Sequence, residues 1–221
     1  MKRHFLLLTT VLISTLAMAQ GTPSFGIKAG VTSAGMRGDA VNSLRDLLDF
    51  SNGAISTTPR LGAFGGAYVS IPLSEQISVE PGIYYAQKGY EVKGALDIKG
   101  TEFLNANARA QLTTHYVDVP VLIKANLNGF QVFGGPQVSY LAKADLNTKA
   151  SVLGFNVFNQ NMDATDQFNR WDLGLTGGVG YEFSNGFNIS ASYDHGLKKV
   201  DANQNFESYN QAFKVGVGFR F

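Results

Sequence analysis

Cysteine is absent from the 221 residues. A secreted or envelope chain without it has no disulfides, so its stability must come from a core or from a closed sheet. Long apolar runs are missing too. After Ala19 no stretch approaches the roughly 20 residues that a helix needs to cross a bilayer. Net charge is almost absent, +1 from 18 basic and 17 acidic residues, and such a balance gives no reason to expect a nucleic-acid partner.

What the chain does have is 25 Gly, 16 Phe and 9 Tyr. Gly and aromatics at this level, without helical periodicity, favour an all-β fold. At the N-terminus Lys2 and Arg3 precede an apolar run from Phe5 to Ala19, which closes on Ala17-Met18-Ala19 before Gln20. A basic start, a short apolar core and a small-x-small site describe a cleavable secretory signal over residues 1–19, cut between Ala19 and Gln20. The residue after the cut is not Cys, which argues against a lipid anchor. Residues 20–221 then read as one domain, and loss of Lys2 and Arg3 takes the formal charge from +1 to −1.

The last nine residues run Phe213, Lys214, Val215, Gly216, Val217, Gly218, Phe219, Arg220, Phe221. Alternation of period two puts every apolar side chain on one face of a strand. The ending resembles the C-terminal strand of bacterial outer-membrane barrels. On that resemblance Phe219 and Phe221 are the assembly signal, read by the barrel-assembly machinery.

Eight strands are expected, at about 25–33, 60–71, 77–90, 113–125, 130–143, 171–183, 187–194 and the C-terminal segment. In the third, Ile77, Val79, Pro81, Ile83 and Tyr85 oppose Ser78, Glu80, Gly82 and Lys88. In the fourth, Val117, Val119, Val121 and Ile123 oppose Asp118 and Lys124. The connections 72–76, 126–129 and 184–186 are short and carry hairpin chemistry. The others, about 35–59, 91–112, 144–169 and 199–210, are long. Short turns at one end and long loops at the other fit an eight-stranded antiparallel transmembrane β-barrel, with both termini periplasmic and the loops outside. Leu44, Leu47 and Leu48 predict a short helix at 41–50. Pro81, Pro120 and Pro136 fall inside strands and predict bulges or frayed ends there.

A soluble β-sandwich also alternates. Three features favour the barrel. The signal and the terminal aromatic bracket the chain as barrel export requires. Phe130, Phe183, Phe187 and Phe221 lie near the short turns, while Tyr85, Tyr140, Trp171 and Tyr193 lie toward the long loops, as two interfacial girdles. The polar face carries Lys28, Glu80, Lys88, Asp118, Lys124, Asp172, Glu182, Asp194, Lys214 and Arg220. Eight strands leave an interior that side chains fill, so these charges are expected to pair in the lumen and to leave no wide channel.

Catalytic signals are poor. Ser192, Asp194 and His195 are close in sequence, but alternation turns His195 away from the other two, so no nucleophile–base–acid set converges. Asp163 and Asp166 lack EF-hand spacing. The glycines of 174–180 open no helix and are no nucleotide fingerprint; they make room in a crowded lumen or let a strand bend. Neither a cofactor nor a metal is expected.

Several stretches together resemble the outer-membrane β-barrel family of Bacteroidetes called PorT-like. FGIKAGV at 25–31 is similar to its opening strand. Tyr116-Val117-Asp118-Val119-Pro120-Val121-Leu122-Ile123-Lys124 is similar to its Tyr-x-acidic-x-Pro-apolar-apolar-apolar-Lys segment, with Asp118 where Glu is more usual. Gly135-Pro136-Gln137-Val138-Ser139-Tyr140-Leu141, Asp172-Leu173-Gly174 and Gly178-Val179-Gly180-Tyr181 match further strands. Under the resemblance Pro120 and Pro136 are expected features. It implies a barrel lodged in the lipid bilayer beside lipopolysaccharide. The named PorT protein is similar to components required for type IX secretion and gliding, so secretion-system proteins are candidate partners. The role expected here is structural or accessory, with that machinery as the alternative. A lipid-modifying enzyme, or binding and adhesion by the long loops, ranks behind.

Overall fold

The structure is a computed structural model that describes residues 22–38, 55–97, 105–152, 155–201 and 207–221. The expected signal with its Ala19–Gln20 cut, and the helix at 41–50, lie outside the described residues.

Among the described residues nine strands follow one another: β1 (Ser24–Arg37), β2 (Ile55–Pro72), β3 (Ile77–Asp97), β4 (Asn105–Leu127), β5 (Phe130–Val152), β6 (Phe155–Asp163), β7 (Trp171–Glu182), β8 (Phe187–Lys199) and β9 (Tyr209–Arg220), with a 3₁₀ turn at Thr165–Gln167. All pairings are antiparallel. β1 to β5 pair in sequence order, β5 continues to β7, then β8 and β9, and β9 pairs with β1. Eight strands thus close a ring. Closure leaves no edge within the barrel wall. β6 is the ninth and stands outside the ring. It pairs with the far part of β5, from Asp145↔Asp163 to Val152↔Phe155, beyond the last β5–β7 pair at Tyr140↔Trp171. The segment expected to be a loop at 144–169 is therefore largely β5 extension, β6 and the 3₁₀ turn. β3 and β4 likewise continue as paired strands well past Tyr90 and before Thr113.

The wall is apolar outward. Phe25, Ile27 and Val31 of β1, Val119, Val121 and Ile123 of β4, and Phe213, Val215, Val217 and Phe219 of β9 are all exposed. Among the described residues no helix is long and apolar enough to cross a membrane; the strands supply the apolar belt. Along β5, about ten steps separate Phe130 from Tyr140. At ~3.4 Å per residue and a tilt of about 40°, that is about 26 Å, the height of an outer-membrane apolar band. Aromatic pairs mark both edges. Tyr181–Phe183 and Phe219–Phe221 lie 5.0 and 5.5 Å apart at the turn end, and Tyr140–Trp171 lie 5.0 Å apart at the loop end.

The turn between β4 and β5 shows why those strands part where they do. Asn128 and Gly129 both have positive φ, 55° and 94°, as a two-residue hairpin turn of the primed type requires. Asn126 Oδ1 accepts the Gly129 N–H at 2.9 Å and fixes the corner.

The bulges expected at Pro81, Pro120 and Pro136 are not there. Register shifts fall instead at 59–64, 115–116, 150–151 and 195–199. Across Pro120 the register is the same on both sides: Pro120↔Gln137 and Ile123↔Gly134 belong to one ladder. The prolines remove a local hydrogen bond without inserting a residue. A slip of one residue would turn each outward Val and Ile of these strands into the lumen, so the register holds.

Candidate functional site

The lumen is where the chain concentrates its polar chemistry. Its middle is a four-charge knot. Asp118 is fully buried, with Lys88 Nζ at 3.0 Å from Oδ1 and Lys214 Nζ at 2.9 Å from Oδ2. Lys214 also reaches Asp194 Oδ2 at 2.6 Å, and Lys88 approaches that oxygen at 4.0 Å. Thr176 Oγ1 lies 2.9 Å from both Asp194 Oδ1 and Gln137 Oε1. The lysines also sit over aromatic faces, Lys88 over Tyr116 and Lys214 over Phe64, at 4.8 and 5.7 Å from the ring centres. Phe64 fits because Gly30 and Gly216 pair beneath it; a Cβ on Gly216 would stand 2.7 Å from its ring. In the same way Gly178 leaves space for the ring of Phe133, while Gly177 faces outward.

Toward the turn end, Lys124 pairs with Glu80 at 2.6 Å. Lys28 and Lys124 share the faces of Tyr68 and Phe133. Arg220 closes on Glu182, whose other oxygen accepts from Gln131 Nε2 at 2.9 Å. Unpaired buried charges cost several kcal/mol each, so this density of ions in a narrow tube leans on the pairing just described; against the expectation that all the lumen charges pair, Lys28 makes no ion pair among the described residues and rests on the Tyr68 and Phe133 rings.

The loop end is sealed differently. Asp172 Oδ2 accepts from Asn210 Nδ2 at 2.7 Å, and the same amide lies 3.2 Å from the Tyr116 hydroxyl. Asp172 Oδ1 makes no hydrogen bond among the described residues, and Asp172 lines a space of about 10 Å³ together with Lys88 and Asp194. Above it Leu112, Tyr116, Leu141, Ala144 and Ala164 form an apolar plug, with Met36, Tyr90, Leu146 and Phe168 packed on it. Residues 163–170 strap the plug down. Ala164 N–H donates to Ala144 O at 2.9 Å, and Asn169 Nδ2 donates to Lys199 O and Asp201 O at 2.8 and 2.9 Å. Asp163 caps this strap. Hydrogen bonds from the Thr165 hydroxyl and N–H hold its carboxyl below the usual range.

Three spaces lie along the described part of the lumen. A polar vestibule of about 110 Å³ opens at the turn end, a pocket of about 40 Å³ follows beside Lys28 and Lys214, and the 10 Å³ space lies under the plug. Beyond the vestibule an open bowl of about 690 Å³ spans the turn end.

The structure brings the expected lumen charges together. Lys28, Glu80, Lys88, Asp118, Lys124, Asp172, Glu182, Asp194 and Lys214 all lie on the inner face, with Arg220 at the mouth. Phe219 and Phe221 point outward. Ser192 and Asp194 line the lumen, while His195 lies on the outer face with Arg37 Nη2 2.9 Å from its Nε2. Asp163 and Asp166 do not converge: one caps Thr165 and the other pairs with Arg170. Among the described residues no cluster of His, Cys, Asp and Glu could hold a metal. The sequence places Thr176 on the polar face beside Asp172 and Glu182, but it does not single out the other neutral members of the network, Tyr68, Tyr116, Gln131, Gln137 and Asn210. Tyr116 and Asn210 share strand parity with Asp118 and Lys214, whereas Tyr68, Gln131 and Gln137 lie on β2 and β5, where only the outward apolar alternation marks the inner face.

A closed antiparallel ring, apolar outside and ionic inside, belted by aromatics at both rims, defines a membrane β-barrel of the outer-membrane class. Residues 18–202 match the model of the outer membrane protein beta-barrel domain, and the chain belongs to that family. Its place is accordingly the outer membrane. No curated protein matches the chain. Among solved structures it is similar to Neisserial surface protein A, at 13% identity and TM-score 0.47, covering 91% of this chain and 100% of that one. It is similar to Ail, the attachment invasion locus protein of Yersinia pestis, at 13% identity and TM-score 0.42, with 91% and 100% covered. A third is the outer membrane protein OprG from Pseudomonas aeruginosa, at 15% identity and TM-score 0.36, with 92% and 98% covered.

Proposed function

We propose that this chain is a small, sealed barrel with a structural or accessory role in the envelope and no catalysis. The turn end and both termini face the periplasm, the long hairpins reach outside, and Phe219 and Phe221 present the terminal strand to the assembly machinery. Phospholipid and lipopolysaccharide surround the wall. The observation that supports the reading is the side chains that fill the lumen among the described residues: an ion knot at mid-height and an apolar plug above it. In planar bilayers the purified barrel is expected to give no unitary conductance at any voltage its bilayer survives. Regular conductance steps would overturn the sealed reading.

A second reading has its own support. β3, β4 and β5 continue as paired strands far beyond the outer girdle, from Tyr85, Val117 and Tyr140 to Asp97, Asn105 and Val152. At ~3.3 Å per residue this is about 40 Å of strand that the membrane does not use. Such a platform suits docking to other envelope proteins, and the PorT-like stretches at 116–124 and 135–141 suggest a secretion or gliding machine. Cross-linking in native outer membranes is expected to capture a heavier species under this reading, and the barrel alone under the first. A lipid-modifying enzyme is the weakest alternative, because His195 is turned away from Ser192 and Asp194. His195→Ala is expected to leave the host's lipid profile unchanged.

A further inference from the structure

We propose that the outer face of the extended strands binds an anionic polysaccharide through a row of three cations, Lys93, Arg109 and Lys149.

The register puts them side by side. Beyond the outer girdle, Ser56, Lys93, Arg109, Lys149 and Asn159 stand directly opposite one another across β2 to β6. Neighbouring strands lie ~4.8 Å apart, so the three cations fall within about 10 Å. Lys93 has the parity of Tyr85 and Arg109 that of Val117, which places the row on the outer face. Like charges directly opposed on paired strands destabilise a sheet. Here two such pairs follow in succession, so the stability of the sheet gives no reason for the row.

One carboxylate answers the three cations. On the next rung toward the membrane, Glu91 Oε1 lies 2.7 Å from Arg109 Nε and 3.8 Å from Lys93 Nζ. Glu91 is 16% exposed, against 55% for Arg109 and 45% for Lys93. It therefore sits beneath the row and steadies Arg109 through Nε, and the other N–H donors of the guanidinium lie outside that contact. Lys149 is exposed and, among the described residues, makes no ion pair. Asp145 and Asp163, further down β5 and β6, have partners of their own: Lys143 lies 2.7 Å from Asp145, and the Thr165 N–H donates to Asp163.

The neighbours name the polymer. Thr58, Gln111, Asn147 and Asn161 flank Glu91 on its rung, and Asn159 ends the cation rung. Hydroxyls and amides both donate and accept, as sugar hydroxyls require. Neither rung carries an aromatic, so bases would find no platform to stack on. Lipid headgroups are too far below. Lys93 and Arg109 stand eight residues past Tyr85 and Val117, about 26 Å along the strand at ~3.3 Å per residue. A chain carrying carboxylate or sulfate groups, laid across the strands, meets all three cations at once.

The test is biolayer interferometry on the full barrel in zwitterionic detergent, with heparin, alginate, neutral dextran, oligothymidylate and lipid A as probes. Heparin and alginate are expected to bind, more weakly as salt rises, and dextran is not. Lys93→Gln, Arg109→Gln and Lys149→Gln together are expected to lower the affinity at least tenfold, about 1.4 kcal/mol. Lys143→Gln, on the same face but outside the row, is expected to leave it unchanged. Absence of binding, full binding by the triple variant, or an equal loss in Lys143→Gln overturns the proposal. So does a lower urea midpoint in the triple variant, which would make the row structural. Tighter binding of oligothymidylate than of heparin overturns it in favour of nucleic acid, and displacement of heparin by lipid A in favour of a lipid surface. Should the triple variant fail to assemble, Glu91→Gln removes the carboxylate beneath the row. It is expected to tighten heparin binding, and an unchanged or weaker affinity counts against the site. That the row lies outside the cell rests on the orientation proposed above and is read separately. Asn159→Cys is expected to react with a membrane-impermeant maleimide on intact cells; protection would overturn the external location and leave the detergent affinities to stand on their own.

Discussion

Asp118→Asn should cost this barrel about 3–5 kcal/mol of stability, the range for breaking a buried ion pair by removing one partner. The substitution keeps the shape of the side chain and takes away the charge that Lys88 and Lys214 share. Both ammonium groups then depend on Asp194, which Lys88 approaches only at 4.0 Å. Water cannot reach them easily, because the plug covers one side and the ion knot is itself buried. The chain has a single Trp, Trp171, in the outer girdle, so its emission in lipid reports folding directly. Urea titration in vesicles should show the midpoint falling sharply. A change under about 1 kcal/mol would mean that the lysines relax to other partners and that the knot matters little. Removing all four charges together, as K88M, D118L, D194N and K214M, should recover much of the loss, since the main penalty is an uncompensated charge rather than a missing bond.

Val217→Arg should cost about 1–4 kcal/mol, the span for a cation between the interface and the midplane of an outer-membrane barrel. Val217 is 50% exposed and sits between Ala29 of β1 and Ile189 of β8, inside the apolar band that Phe219 borders at the turn end. Its exposure is exposure to lipid if the wall spans the bilayer. In a water-soluble sandwich the same surface substitution would be worth less than about 0.5 kcal/mol. The measurement is the fraction that migrates as folded barrel on unboiled gels as urea rises, with Val217→Leu as the control. An Arg variant as stable as the parent would place this face in water and remove the membrane assignment.

The strands within the bilayer were legible because one side of the wall is apolar and the other is not. Val117, Val119, Val121 and Ile123 against Asp118 and Lys124 leave a single assignment of faces. Past the plug, beyond Leu146, neither lipid nor an apolar interior distinguishes the two faces, so alternation loses its cause. That is why Asn147, Thr148 and Lys149 of β5, and Asn159, Gln160 and Asn161 of β6, read as loop although they pair as strand. The break in parity near Ala142, where the register shifts opposite 115–116, hid the continuation further. Reading Pro120 and Pro136 as bulges gave too much weight to one missing donor and too little to the flanking ladder. In the lumen the charges announced themselves, whereas Gln137 and Asn210 carry no mark beyond their parity. The strap at 163–170 depends on backbone hydrogen bonds, which no residue type advertises.

The pairing of β1 with β9 carries a consequence for how the molecule is made. Gly26 bonds alongside Arg220, so the contact that completes the cylinder joins the two most distant parts of the folded chain. Loop-closure entropy must be met in full before that contact gives anything back, and proteins dominated by such distant pairings fold slowly. Until then β1 and β9 are open templates for any passing strand. A chain of this topology spends its transit to the membrane as its own most dangerous aggregation partner. Its need for escort is set by where its two ends meet.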